Sequence, residues 1–313
     1  MADSNIIRAL KGRAKDGYVA GKDNDGDHIA LVVEGGGMRG VAAGGMVSAL
    51  EDLGLTDCFD SVHGSSAGAA AGAYFASGQA NFGTRIFYED LIGKEFIDTR
   101  RLLWGRDIMD TSYLVDHVMM QIKPIDFQRL KDISPRLYIV MTDIDSGEPH
   151  IVSEFKDYEH YRSCLKASIT LPFIAGRPKD IDGLRVMDGG LLQQIAVESA
   201  LSLGATKVLG LLTRRKDEQY RPEKSWKLSL QASFLQLLYG GRIGAIYRDR
   251  SRRINLSVDH LEAGSGPNGE ELFGINLPDG IDYVHRLTQA PDDLKRAAEV
   301  SKDSVTKLFR DII

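Results

Sequence analysis

At 313 residues the chain can bury one large core, or a core with an appendage, and its 43% hydrophobic and 27% charged residues describe a soluble globular protein. A net charge of −5 leaves no global footprint for nucleic acid, and two cysteines, Cys58 and Cys164, are too few for a disulfide framework and read as buried thiols. The first residues lack the apolar region of a signal peptide and no stretch reaches the ~18 uninterrupted apolar residues of a membrane span, so the reading is a cytoplasmic protein of a reducing compartment.

Residues 1–27 alternate charge and glycine and read as a polar N-terminal arm. The acids between Lys22 and Asp27 invite a calcium-loop reading, but the glutamate at the loop's twelfth position is missing, so a solvated turn is preferred. His28 to Val33 is a continuous apolar run suited to a buried parallel strand. Glu34 and the loop from Gly35 to Gly40 follow at once, and Val41 to Leu53 has a helical pattern ended by Gly54. The loop has two functional readings. Gly35, Gly37 and Gly40 match the dinucleotide fingerprint, with Asp57 and Asp60 about 20 positions on. Alternatively, successive amides free of side chains form an oxyanion hole. The next strand separates them. In a dinucleotide fold it ends on the acid that holds the ribose, whereas here it ends in Gly64-Ser65-Ser66-Ala67-Gly68, so the oxyanion reading is preferred.

That run fits G-x-S-x-G with Ser66 at its centre. An apolar approach (Cys58, Phe59, Val62) precedes it and a helix-favouring run, Ala67 to Ala76, follows, which is the layout of a nucleophile elbow. The glycines let two backbone segments approach closely, and the helix N-terminus favours a developing negative charge. Taken alone the motif is weak, and its companions decide. His63 is a tempting neighbour, but it belongs to the entering strand and its side chain is expected in the flank of the fold.

Residues 81–130 read as helices over one end of the sheet, among them Thr84 to Leu91 and Tyr113 to Ile122. Arg136 to Thr142 is a third buried strand, and His150 to Val152 continues as a strand after a turn. Tyr161 to Ala167 is a helix that runs into the proline-broken apolar loop Ser168 to Gly176. Leu184 to Asp188 is a strand followed by Gly189 and Gly190. Asp188 is either a carboxylate at a strand's carboxyl end that reaches the elbow, or a structural residue of an Asp-Gly turn. No spacing ties His117, His150 or His160 to Ser66. Residues 191–203 look helical, and Lys207 to Leu212 is the last clear strand. From Arg221 to Arg253 eight basic residues face two acidic ones around an apolar middle. Such a stretch could touch an anionic membrane surface; a helix packed on the domain with its basic face in water is preferred. Ala290 to Ile313 reads as a helix opening near Pro291, with Leu294, Ala297, Val305 and Leu308 on its inner face.

The glycine loop, the elbow and the Asp188-Gly189-Gly190 turn come in that order, each at a strand end, and together they resemble the patatin-like phospholipase family. The resemblance covers roughly residues 28–212 and includes the run from Ala167 to Phe173. It implies an α/β fold, a mainly parallel central sheet flanked by helices in a three-layer sandwich related to the α/β-hydrolases. It also implies a serine–aspartate dyad, with Ser66 as nucleophile and Asp188 as base. Gly36, Gly37, Met38 and Arg39 would lend backbone N–H groups to the oxyanion, and Arg39 would order that loop or meet an anionic head group. Gly35, Gly40, Gly64, Gly68, Gly189 and Gly190 complete the motifs, and no metal or cofactor is required. In one respect the chain departs from the family, which follows Asp-Gly-Gly with asparagine and proline; here Gln193-Gln194-Ile195-Ala196 stands instead, and the setting of Asp188 depends on what replaces them.

The expected function is a lipid acyl hydrolase of phospholipase A, lysophospholipase or carboxylesterase type, working through an acyl-enzyme. The alternatives are a low-turnover protein of the same fold that binds lipid or a partner, and a nucleotide-dependent enzyme using Gly35 to Gly40. Expected partners are a lipid or small acyl ester and, peripherally, a membrane; nucleic acid is not among them, and the sequence leaves the oligomeric state open. The expected organisation is a polar arm (1–27), a catalytic core (28–212) and a mostly helical extension packed on it (213–313).

Overall fold

Every residue of β1 (Ile29–Val33) is buried, and its side chains alternate between two cores. Ile29, Leu31 and Val33 enter one core, Ala30 and Val32 the other. A strand apolar on both sides needs a cover on both sides, which makes three layers. The computed structural model describes residues 5–132, 135–172, 174–216, 218, 226–281 and 284–311. Around β1 it assembles β2 (Ser61–Gly64), β3 (Arg136–Asp143), β4 (Pro149–Val152), β5 (Lys179–Ile181), β6 (Leu184–Asp188), β7 (Lys207–Leu211) and β8 (Glu271–Ile275). The order is β5-β6-β3-β2-β1-β7-β8, with β4 also paired to β3. From β3 to β8 the strands are parallel; β4, β5 and β6 form an antiparallel margin. The central sheet is thus mainly parallel and flanked by helices, as expected.

The helices are α1 (Asn5–Asp16), α2 (Gly40–Asp52), α3 (Ala67–Ala76), α4 (Ala80–Gly83), α5 (Ile86–Glu89), α6 (Phe127–Asp132), α7 (Tyr158–Ile169), α8 (Val197–Ser202), α9 (Trp226–Tyr239), α10 (Ile243–Ala263) and α11 (Pro291–Asp311). α1, α2, α3, α7 and α11 cover one face of the sheet, and α8 and α10 the other. α11 crosses α2 so closely that a side chain at Gly45 would collide with the Ala298 carbonyl.

Four expectations change. The N-terminal residues do not end as an arm: Ile6, Ile7 and Leu10 of α1 are buried in the main core. Arg13 is buried with them and donates to the Cys58 carbonyl at 2.7 Å, to Asp60 at 2.8 Å and to Asp25 at 2.7 Å. The charges that suggested an arm are the partners that let it pack. Second, the sheet continues past Leu212, because β8 pairs with β7, so the extension supplies a strand as well as helices. Third, only Val197–Ser202 of the stretch 191–203 is α-helical. Fourth, the stretch 221–253 holds two helices with different surfaces: Arg252 and Arg253 of α10 face water, whereas α9 turns apolar side chains to it. α9 packs through Ala232 and Leu235, while Trp226, Leu230 and Leu237 are exposed. Arg221, Glu223, Lys224, Phe173, the side chain of Lys227 and the chain ends 1–4 and 312–313 lie outside the described residues.

Candidate active site

The elbow is built where β2 meets α3. Ser66 lies between them with φ 55° and ψ −132°, a conformation that costs a non-glycine residue on the order of 1–3 kcal/mol. The surroundings hold it there. Its N–H donates to both the carbonyl and the hydroxyl of Ser168, each at 3.1 Å. Gly64 and Gly68 carry no side chain because none fits: a Cβ at Gly64 would stand 2.5 Å from the Gly68 carbonyl, and one at Gly68 would collide with that of Val33. The strain lifts the serine side chain off the sheet edge, with the N-terminus of α3 behind it.

Asp188 reaches the elbow by a route the sequence did not suggest. Its strand is antiparallel, so its carboxyl end should lie at the wrong edge of the sheet. β3, however, runs past β2: Gly64, the last residue of β2, pairs with Ile139, and β6 pairs with the overhang Met141 to Asp143. β6 therefore descends onto the elbow and ends beside it. The Thr170 carbonyl accepts the Asp188 N–H at 2.9 Å, and the Thr142 hydroxyl donates to the Asp188 carbonyl at 2.9 Å. A side chain at Gly189 would strike the Val140 carbonyl and the Ser65 Cβ, and one at Gly190 would stand 2.9 Å from the Asp188 carboxyl, which is why two glycines follow the aspartate.

The Asp188 carboxyl is 2% exposed. Burial raises its proton affinity above the ordinary carboxylate range. The Gly190 N–H at 2.7 Å, the Ser66 hydroxyl and the charges of Arg250 and Arg286 oppose that rise without cancelling it. A carboxylate that holds protons more strongly than usual, facing a serine hydroxyl, has the character of a general base.

In the glycine loop Gly37 has φ +61°, and a side chain there would stand 2.8 Å from the Arg286 carbonyl. Of the four expected oxyanion donors, two are engaged within the protein. Met38 N–H donates to the Arg286 carbonyl at 3.1 Å and Arg39 N–H to the Gly36 carbonyl at 3.3 Å. Gly36 and Gly37 donate to no acceptor among the described residues. The Arg39 side chain orders the loop: it reaches Glu218 at 3.1 Å, Thr213 at 3.4 Å and Glu34 at 3.8 Å.

Gly35 to Met38, Ser66 and Asp188 line one cavity, whose remaining wall is largely apolar and includes Phe87, Leu91, Phe96, Met109, Leu171 and Ile174. Asp57 and Asp60 do not join it. They precede β2 at the opposite edge of the sheet, where Asp57 pairs with Arg129 and Asp60 with Arg13. The dinucleotide reading loses its ribose-binding acid. His63 is fully buried, stacked on Tyr138 with ring centroids 4.6 Å apart and Nε2 3.0 Å from the Ser61 hydroxyl. His150 and His160 lie against Asp182 instead. Cys58 and Cys164 are buried thiols, pushed up by burial to about 11 and about 12. Among the described residues no three His, Cys, Asp or Glu side chains converge as a metal would require.

Several residues of the site escaped the sequence reading. Ser168 and Thr170 tie the end of α7 to both the elbow and Asp188. Glu34 and Arg214, each fully buried, form an ion pair behind the glycine loop, with Thr213 N–H and Gln194 donating to the same carboxylate at 2.7 and 2.8 Å. A glutamate closing an otherwise apolar buried strand was the available signal for this pair. Arg250 and Arg286 reach the cavity from the C-terminal part of the chain.

A sequence profile described as Patatin-like phospholipase matches residues 31–201. The chain is 26% identical over 198 residues to the uncharacterized protein YjjU of Escherichia coli (strain K12), an alignment covering 62% of this chain and 54% of that protein. It is 28% identical over 200 residues to patatin-like phospholipase domain-containing protein 7 of Mus musculus (62% and 14% covered). It is 25% identical over 198 residues to lysophospholipase nte1 of Aspergillus oryzae (59% and 12%). The chain therefore spans about half the length of the first relative and a small part of the others. Among solved structures it is similar to VipD from Legionella pneumophila, with a TM-score of 0.44, 14% identity, and 91% of this chain and 67% of that one covered.

Proposed function

The chain belongs to the patatin-like phospholipase family, and from that premise we propose that it hydrolyses acyl esters of lipids through Ser66 and Asp188. Ser66 Oγ attacks the ester carbonyl while the Asp188 carboxylate takes the hydroxyl proton. The tetrahedral oxygen is met by the N–H groups of Gly36 and Gly37, with the N-terminus of α3 adding its partial positive charge. Collapse expels the alcohol, which receives the proton from Asp188. A water then repeats the sequence on the acyl-enzyme, with Asp188 again as base, and releases the fatty acid. The apolar wall from Phe87 to Ile174 is the surface against which an acyl chain would lie.

The observation that carries the reading is a single juxtaposition. A serine held at positive φ shares a largely apolar cavity with a buried carboxyl of raised proton affinity. The rival reading, a low-turnover binding protein, draws on the replacement of asparagine and proline by Gln193 to Ala196 after Asp-Gly-Gly. Gln193 and Gln194 now give grounds for the enzyme: the Ser65 hydroxyl donates to the Gln193 carbonyl at 2.9 Å, and Gly35 N–H to that of Gln194 at 3.0 Å. The turn is held, by other residues than the family's pair.

No helix among the described residues is long and apolar enough to cross a membrane. Peripheral contact with lipid is proposed instead, through the exposed Leu103 and Trp104 and through the exposed side of α9. The test of the assignment is labelling by a fluorophosphonate probe, together with hydrolysis of p-nitrophenyl esters and phospholipids with and without anionic vesicles. Labelling lost in Ser66→Ala supports it. A wild-type protein that neither labels nor hydrolyses any ester of the panel is a binding protein.

A further inference from the structure

The three motifs of the candidate site meet at one residue. Gln194 is 2% exposed. Its carbonyl accepts from Gly35 N–H of the glycine loop at 3.0 Å and from the Ser65 hydroxyl of the elbow at 3.4 Å. Its amide nitrogen donates to Glu34 at 2.8 Å. Its amide oxygen accepts from Arg250 Nη2 at 2.7 Å and from Arg286 Nη2 at 3.1 Å. A carboxylate on one side and two guanidiniums on the other allow only this orientation of the amide. Arg250 makes a second bond, from Nε to the Gly190 carbonyl at 2.7 Å.

The position of Arg250 is set by its helix. In α10 the buried side chains include Ile243, Ile246, Ile254, Val258 and Leu261, and Arg250 falls four residues from both Ile246 and Ile254, on that stripe. The basic neighbours Arg252 and Arg253 pair with Asp249 and face away. Arg250 is thus turned inward within a run whose charge otherwise belongs to the surface.

We propose that Arg250 is a positioning residue: acting on Gly190 and Gln194, it clamps the Asp188-Gly189-Gly190 turn against the elbow and the glycine loop, in a chain that has Gln193-Gln194-Ile195-Ala196 where asparagine and proline would otherwise follow. The proposal rests on the reading of Ser66 and Asp188 as the reacting pair. The clamp works because a guanidinium is a rigid fork. Nε on the Gly190 carbonyl and Nη2 on the Gln194 amide oxygen fix one backbone position and one buried side chain relative to α10, which a lysine ammonium cannot do from a single point. The charged groups facing Asp188 are Arg250 from α10 and Arg286 from the segment before α11, with the Ser66 hydroxyl and Gly190 N–H completing its surroundings. Glu34, beyond Gln194, is neutralised by Arg214. Both Arg250 and Arg286 lie outside the residues matched by the family profile, so the clamp is a contribution of this chain's C-terminal part.

The test compares Arg250→Met and Arg250→Lys in the full chain. It reads kcat and KM for an uncharged p-nitrophenyl ester across pH, and hydrogen exchange of peptides spanning 188–196. Arg250→Met is expected to lower kcat on the order of 10- to 100-fold with KM nearly unchanged, since a misplaced base costs turnover rather than binding. Its acid limb moves to higher pH, because one positive charge facing the carboxylate is gone, and exchange at 188–196 quickens. Arg250→Lys restores the limb but neither the exchange protection nor the full kcat. Wild-type kcat and pH limb in Arg250→Met overturn the proposal. So does an effect confined to KM for phospholipids, which would make Arg250 a head-group contact. If the wild type hydrolyses no ester, the functional reading fails separately and exchange alone decides: quickened at 188–196 it supports the clamp, unchanged it overturns it.

Discussion

Two carboxylates flank the site, and their environments push them in opposite directions. Glu34 closes β1 and Asp188 closes β6. Each is buried, each is followed by glycines, and each lies behind one of the loops that line the cavity. Burial acts on both to favour the protonated form. At Glu34 it is outweighed by the charge and hydrogen bonds of Arg214, by Arg39 and by Gln194, so the group stays well ionised. At Asp188 it prevails, because Arg250 spends its hydrogen bonds on Gly190 and Gln194, and the charges of Arg250 and Arg286 lower the carboxyl's proton affinity without cancelling the effect of burial. Two buried acids pushed apart in this way divide the labour: one fixes a loop, the other is available for protons. The lesson is that burial alone does not mark a base. What marks it is burial with incomplete compensation.

The largest expected effect falls on the reactive side of the comparison. Ser66→Ala and Asp188→Asn should each lower ester hydrolysis by on the order of 10³-fold or more. Their effect on stability should not follow. The folded-state proton affinity of Asp188 is raised, so its stabilising contribution belongs to the protonated form, complete below the unfolded pKa and lost as pH rises through the folded one. An asparagine, which carries no charge to bury, should leave the melting temperature at neutral pH at or above that of wild type. A clear fall in melting temperature would mean that Asp188 is a structural turn residue.

Glu34→Gln should show the reverse. It removes the charge opposite the buried Arg214 guanidinium, and breaking such a pair costs about 3–5 kcal/mol. Denaturant unfolding of the two amide variants side by side measures this directly, and equal stability would erase the distinction between the two acids. A smaller effect comes with pH alone. Glu34 has a lowered folded-state proton affinity, so its contribution is present above its unfolded pKa and lost only as pH falls through the still lower folded value. Asp188 takes up its proton earlier on the way down. Activity should therefore be lost, reversibly, at a pH above the ordinary aspartate value of about 3.9 while the fold persists. Parallel titrations of kcat/KM and near-UV circular dichroism check it; loss of both at one pH would contradict it.

Much of this was legible in the chain because it is local. The strand, loop and helix from His28 to Leu53, the elbow, and the Asp-Gly-Gly turn each announce themselves through residues a few positions apart. What stayed hidden depends on register and on distance along the chain. Nothing near Leu184 says that β6 is antiparallel, since that follows from the overhang of β3. The charges around α1 concealed Ile6, Ile7 and Leu10, whose helical spacing was readable. Arg250 was counted into a basic surface although it sits on the apolar stripe of α10, so a charge at a core position was the signal overlooked. Arg286 had no such signal, because it comes from a segment without regular structure. The exposed apolar face of α9 was hidden in a similar way, because most of the basic residues of the stretch 221–253 lie outside that helix.

The smallest expected effect concerns His63, three residues before the serine and the natural suspect for a triad. Strand alternation sends its side chain away from the cavity, into the stack with Tyr138. Burial, with a smaller contribution from His28, pushes its pKa down to about 3, so it is neutral wherever the fold is stable. Its Nε2 shares the Ser61 hydroxyl with His28, whose Nε2 lies 2.8 Å from the same oxygen. His63→Gln keeps a polar group within reach of that hydroxyl and loses the ring stack, worth about 0.5–1.5 kcal/mol. Turnover and the acid limb should then match wild type while the melting temperature falls slightly. If the limb moves instead, the proton on Ser66 is going to the histidine, and Asp188 reverts to the turn residue that its sequence first suggested.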